Sequence, residues 1–148
     1  MSWGRIQVIS AGETSGPSFD FLTSNFGGLL PPGRLPLTVS ASIGDACQPL
    51  EPQDIDATTD AAVLVTRGNC PFDEKVINVQ NAKGALVVIE DPADRSLQRI
   101  GGSHPLAGMA GIPSIAISFQ CSEYIRQQIN SGKSISLYLE GVHCNLII

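Results

Sequence analysis

The residues best equipped for chemistry stand together at Arg67-Gly68-Asn69-Cys70. Arg67 offers a planar fork of N–H donors suited to a carboxylate or carbonyl, and Gly68 leaves the main chain beside it uncovered. Cys70 comes directly before Pro71 and the acidic pair Asp73-Glu74, where a helix amino terminus would favour a thiolate. Two chemistries fit these residue types. In one, Arg67, Gly68, Asn69 and Cys70 present a surface that binds a peptide or protein. In the other, Cys70 is a hydrolytic nucleophile with His104 or His143 as its base. The sequence argues against the second: no cysteine-hydrolase signature surrounds Cys70, and a disulfide with Cys47 would remove the nucleophile. No G-x-S-x-G elbow supplies a serine in its place. The pairs Asp73-Glu74 and Glu90-Asp91 are read as helix-start and strand-end charges, so no catalytic residue is assigned. The architectural reading of the loop has Arg67 bracing the turn, Gly68 supplying a positive φ and Phe72 filling the core. Lys75 is read as a charge on the helix surface or barrel rim.

The elements around this turn are well signed. Ala62, Val63, Leu64 and Val65 form a short apolar run with β-branched residues, expected as a strand buried on both faces. Pro71 at the start, Asp73 and Glu74 in the first turn and Gly84 past the end bound a helix. Phe72, Val76 and Val79 share its inner face, with Asp73, Glu74 and Asn81 turned to water. Leu86–Ile89 is a second buried strand, so a strand–helix–strand crossover is predicted. Further strands are expected at 5–9, at 35–39 with Pro36 marking an edge or an entry residue, at 112–117, and at 134–139. A helix capped by Ser122 runs to about Asn130. Asp91 to Ala110 reads as a long connection of the kind that carries function.

The four cysteines bear on the compartment. No C-x-x-C is present, and neither His104 nor His143 stands at ligand spacing from paired cysteines, so no metal or cofactor is expected. Three connectivities are open. Cys47–Cys70 with Cys121–Cys144 is favoured, since each bridge would tie a loop to an element that follows closely. Four buried thiols are the alternative, and Cys121, in line with Ile125 and Ile129, suits it.

The chain has 148 residues, 43% hydrophobic and 16% charged, which is enough to bury a sizeable core. Nine basic against 14 acidic side chains give −5, the wrong sign for a nucleic-acid surface. Apolar runs are strand-sized, far below the roughly 20 residues that span a bilayer, so no direct membrane insertion is expected. No signal-peptide hydrophobic region follows Met1-Ser2-Trp3-Gly4-Arg5, and no Asn is followed by x-Ser/Thr.

The ordered motifs resemble the protease-associated (PA) domain. They are Arg67-Gly68-x-Cys70-x-Phe72-x-x-Lys75-Val76, then Asn78-x-x-Asn81-Ala82-x-Gly84-Ala85 with its apolar strand, then Gly111-Ile112-Pro113-Ser114. Ala46-Cys47 and Phe26-Gly27-Gly28 add to a likeness with the small stand-alone secreted or lumenal PA-domain proteins. The resemblance implies a mixed α+β fold, a compact β-barrel or sandwich-like sheet flanked by two helices, as one domain over residues 1–148. It also implies a non-catalytic protein- or peptide-binding module, without cofactor, secreted or in the lumen of the secretory pathway. Its ligand-binding loop would be Arg67, Gly68, Asn69 and Cys70. The alternative it allows is a regulatory or substrate-gating domain excised from a larger peptidase, sorting receptor or membrane-anchored RING ubiquitin ligase.

Overall fold

A computed structural model describes residues 2–93, 96–98, 100–102 and 108–143. In chain order the elements are β1 (Ser2–Ser10), β2 (Ser18–Thr23), β3 (Arg34–Thr38), α1 (Pro52–Thr58), β4 (Ala62–Thr66), α2 (Phe72–Asn81), β5 (Leu86–Glu90), β6 (Ser114–Ile117), α3 (Phe119–Asn130) and β7 (Ile135–His143). The strands close a barrel in the order β1-β2-β6-β5-β4-β3-β7. β3, β4, β5 and β6 run parallel to one another, while β1, β2 and β7 pair antiparallel. The mixed barrel matches the fold expected from the motifs.

Period-2 alternation divides β4 and β5 between two cores. Ala62, Leu64, Leu86 and Val88 point into the barrel, where they meet Ile6, Val8, Phe21 and Leu137. Val63, Val65, Val87 and Ile89 point outward and pack under Val76 and Val79 of α2. Both strands are therefore buried on both faces, as their continuous apolar runs predict. The α3 helix adds Cys121 and Ile125 to the barrel core.

Several expectations are corrected. A third helix, α1, occupies 52–58 where none was predicted, because it is a mere seven residues and its N-cap Glu51 makes no side-chain capping bond. β1 is longer than 5–9, since it is laddered on one side to β2 and on the other to β7. β2 went unrecognised in Ser18–Thr23. Pro36 marks no edge: it sits opposite Ser136 at the end of the β3–β7 ladder. Ser118 caps α3, its Oγ accepting from the Cys121 N–H at 3.1 Å, which leaves Ser122 buried inside the helix. Past α2 the positive φ falls on Lys83. Gly84 is needed for space, as a Cβ there would lie 2.4 Å from Val79 Cγ1.

Phe21 is the largest fully buried side chain. Phe21→Ala is expected to cost about 3–5 kcal/mol of unfolding free energy, read from urea denaturation at unchanged slope. A loss below 1 kcal/mol, on the scale of a surface substitution, would contradict this placement.

Candidate functional site

The turn after β4 is built against a second loop, residues 43–47. Thr66 N–H donates to the Gly44 carbonyl at 3.1 Å, and Arg67 N–H to the Glu90 carbonyl at 2.8 Å, which extends the β4 edge to the mouth of the turn. Gly68 (φ +112°) and Asn69 (φ +69°) then reverse the chain in left-handed conformations, and glycine adopts the first without a Cβ penalty. Pro71 occupies the N-cap position of α2. On the facing loop Ala46 is also at positive φ.

Four contacts lock the two loops together. Cys47 and Cys70 form a disulfide across a separation of 23 residues. Asn69 Nδ2 donates to Asp45 Oδ2 at 2.7 Å, and Asn78 Nδ2 of α2 donates to the Ala46 carbonyl at 2.8 Å. At the centre is Lys75, which is fully buried. Its Nζ donates to the carbonyls of Asp45 (2.9 Å), Thr66 (2.8 Å) and Gly68 (2.6 Å) and lies 3.5 Å from Cys47 Sγ. Burial pulls the Lys75 ammonium below its ordinary pKa, partly opposed by the charges of Asp45 and Glu74. The Asn69 amide, followed by the Cys47 N–H, holds the Asp45 carboxyl below its ordinary value.

Lys75 is thus the internal pin of the site and not a surface charge. Its side chain starts on the inner face of α2, beside Val76 and Val79. Asp73, expected to face water, is buried on the same helix.

Arg67 stands at the edge of this platform. Its Nη1 is 3.2 Å from Gln98 Oε1 and 3.5 Å from Asp91 Oδ2, and its guanidinium lies 5.5 Å from the centroid of the Phe72 ring. Phe72 is half-buried and does two things, packing on the outer core and supporting the arginine. Beside them Leu97, Ile100, Ile117 and Phe119 line a cleft of about 30 Å³. That is about a tenth of the smallest volumes typical of pockets that enclose small molecules, so the cleft can seat a protruding side chain but not surround a substrate. A larger groove of about 730 Å³ runs between residues 23–32 and β7, away from Arg67, and among the described residues no titratable side chain lines it.

The predicted loop residues are therefore together, but in unequal roles. Arg67 and Asn69 keep their side chains at the surface, with Arg67 half-buried and Asn69 exposed. The Gly68 carbonyl, expected to face outward, turns in to Lys75. Cys70 is bonded to Cys47, and this corrects the cysteine-nucleophile alternative, because no thiolate is present to attack. His104 lies outside the described residues, and His143 falls at the end of β7. The Cys121–Cys144 bridge is corrected at its first member: Cys121 is a free thiol buried among the barrel residues, and burial pushes its pKa up to about 12. Cys144 lies outside the described residues.

Sequence reasoning missed a second polar cluster. Glu90, buried at the end of β5, accepts from the Ser122 hydroxyl, from Arg126 Nη2 and, at 3.4 Å, from Thr66 Oγ1. It ties α3 to the strand end whose carbonyl holds Arg67. Ser122 and Arg126 at i and i+4 on one helix face were the available signal.

The fold and loop define a class, a closed mixed barrel that carries a cross-linked surface platform at the carboxyl ends of its parallel strands. The chain belongs to the PA domain family, whose signature matches residues 34–124. E3 ubiquitin-protein ligase RNF13 of Bos taurus is 27% identical over 139 residues, covering 91% of this chain and 35% of that protein. The Receptor homology region, transmembrane domain- and RING domain-containing protein 2 of Arabidopsis thaliana is 30% identical over 116 residues, covering 74% and 25%. The chain spans about a third of the length of the first curated relatives it matches. Among solved structures, a zinc aminopeptidase from Bacillus subtilis superposes with a TM-score of 0.65 at 18% identity, covering 95% of this chain and 33% of that one, a likeness of fold alone.

Two outcomes test the platform. Replacing Cys47 and Cys70 together by alanine is expected to cost about 3 kcal/mol of stability, the chain-entropy value for a loop of this size; no loss in calorimetry would contradict the cross-link. Because the folded Asp45 pKa lies below the ordinary 3.8, its contribution is fully present above that pH and is lost as pH falls through the folded value. Asn69→Ala, which removes the largest cause of the shift, is expected to leave urea stability less sensitive to acidification below pH 3.8. An unchanged acid profile would contradict it.

Proposed function

We propose that this chain is a non-catalytic PA-type interaction module, one unit over residues 1–148, that recognises a peptide or protein segment through the surface at Arg67, Gly68, Asn69 and Cys70. The observation that carries this reading is the pinned platform: a rigid turn presents Arg67 over Phe72 beside a cleft too small to enclose a substrate. Functional loops on rigid scaffolds suit recognition, because ordering costs are met before the ligand arrives. Arg67 would take a carboxylate or main-chain carbonyl of the ligand, and the apolar cleft one side chain next to it. The Cys47–Cys70 disulfide supports residence in an oxidising compartment, either secreted or lumenal. Among the described residues no helix is long and apolar enough to cross a membrane.

A second reading has one observation in its favour. The first curated relatives are about three times the length of the matched region and are named E3 ubiquitin-protein ligases. On that reading the chain is a regulatory or substrate-gating part of a larger protein of that kind, and the same surface would select its partners.

The test is a nuclear magnetic resonance titration with peptides enriched from a random library on the folded domain. Shifts are expected to cluster at residues 67–72 and at Leu97, Gln98 and Ile100. Arg67→Ala is expected to weaken binding by about 1–3 kcal/mol, the scale of a charge-assisted hydrogen bond, without unfolding the domain. Shifts confined elsewhere, or unchanged affinity in the variant, would reject the site.

A further inference from the structure

The two sulfurs of the Cys47–Cys70 bond have unequal surroundings. Cys47 Sγ lies 3.5 Å from the Lys75 ammonium and 3.5 Å from the Gly68 carbonyl. Cys70, half-buried like Cys47, sits in the turn between the exposed residues Asn69 and Pro71, and no ammonium contact to its sulfur is found among the described residues. A thiolate that attacks a disulfide expels the other sulfur, and expulsion is faster the more acidic the departing thiol. An adjacent ammonium acidifies a thiol by stabilising its thiolate.

We infer that Cys70 is a modification site for low-molecular-weight thiols, which attack its sulfur and expel Cys47 as a thiolate that the nearby Lys75 charge stabilises. In the first step RS⁻ forms an RS–S bond to Cys70, the Cys47–Cys70 bond breaks, and its electron pair leaves on Cys47 Sγ. A second thiol can then attack the mixed disulfide to give RSSR and the Cys70 thiolate. Over both steps the protein disulfide gains two electrons, two thiols are oxidised, and their two protons pass to the cysteines. The first step releases the covalent tie between the two loops, while the Asn69–Asp45 bond and the Lys75 contacts still join them. It thereby makes a thiol-dependent adjustment of the platform, with the adduct on the outward turn. Cys121 is a built-in contrast, a buried thiol with no charge partner among the causes of its shift.

The inference does not depend on ligand binding, so its test is separate. Oxidised protein is alkylated with iodoacetamide to block free thiols, exposed briefly to reduced glutathione, quenched in acid and mapped by peptide mass spectrometry. Glutathione is expected mainly on Cys70 with a newly free Cys47, in severalfold excess over the opposite adduct, because the sulfur beside the ammonium leaves faster. Glutathione mainly on Cys47, equally on both sulfurs or on neither would overturn the inference. This wild-type ratio needs no variant. In folded Lys75→Met the preference for Cys70 is expected to fall towards parity, and an unchanged ratio would overturn the part given to Lys75.

Discussion

A single buried ammonium organises the functional end of this barrel. Taking an amine out of water costs several kcal/mol unless each of its donors finds a partner. Lys75 meets that condition with three carbonyls, those of Asp45 in one loop, Thr66 at the end of β4 and Gly68 in the turn that follows, about twenty residues from the first in sequence. Carbonyls at irregular turns lack ladder partners of their own, so the lysine and the turns need each other. Without it these three carbonyls would lose its donors; without the turns it would be a stranded charge. The disulfide and the Asn69–Asp45 bond add to an arrangement whose centre is electrostatic.

This arrangement explains why Arg67 can be presented at all. Its main chain is held by Glu90, whose carboxylate is fixed by Ser122 and Arg126, so α3, β5 and the turn form one connected frame. Phe72 beneath the guanidinium belongs to the outer core. The surface of the site is therefore continuous with the packing of the parallel strands, which suits a rigid recognition surface better than a loop that closes on its ligand.

Much of the barrel was legible because β4, α2 and β5 obey clean periodicities: unbroken apolar runs for strands buried twice, and Phe72, Val76 and Val79 for one helix stripe. The Cys47–Cys70 bridge was legible from order along the chain. Lys75 was not, because a charged residue on an amphipathic helix is normally solvated, and only the fold brings three unpaired carbonyls to its tip. Asp73 failed for the same reason. β2 and α1 were hidden by weak local signals, with Asp20 breaking the apolar run of the first and no capping bond marking the second. The pairing of Cys121 was misjudged because sequence proximity says nothing about which way a helix face points; its thiol faces the barrel.

The most direct test of this account is the side chain of Lys75 itself, followed by heteronuclear magnetic resonance through a pH titration of the oxidised protein. The account predicts an ammonium with slowly exchanging protons, contacts to residues 45, 66 and 68, and titration below the ordinary 10.5. Rapidly exchanging protons and titration at the ordinary value would place this lysine in solvent and contradict the pin on which the platform rests.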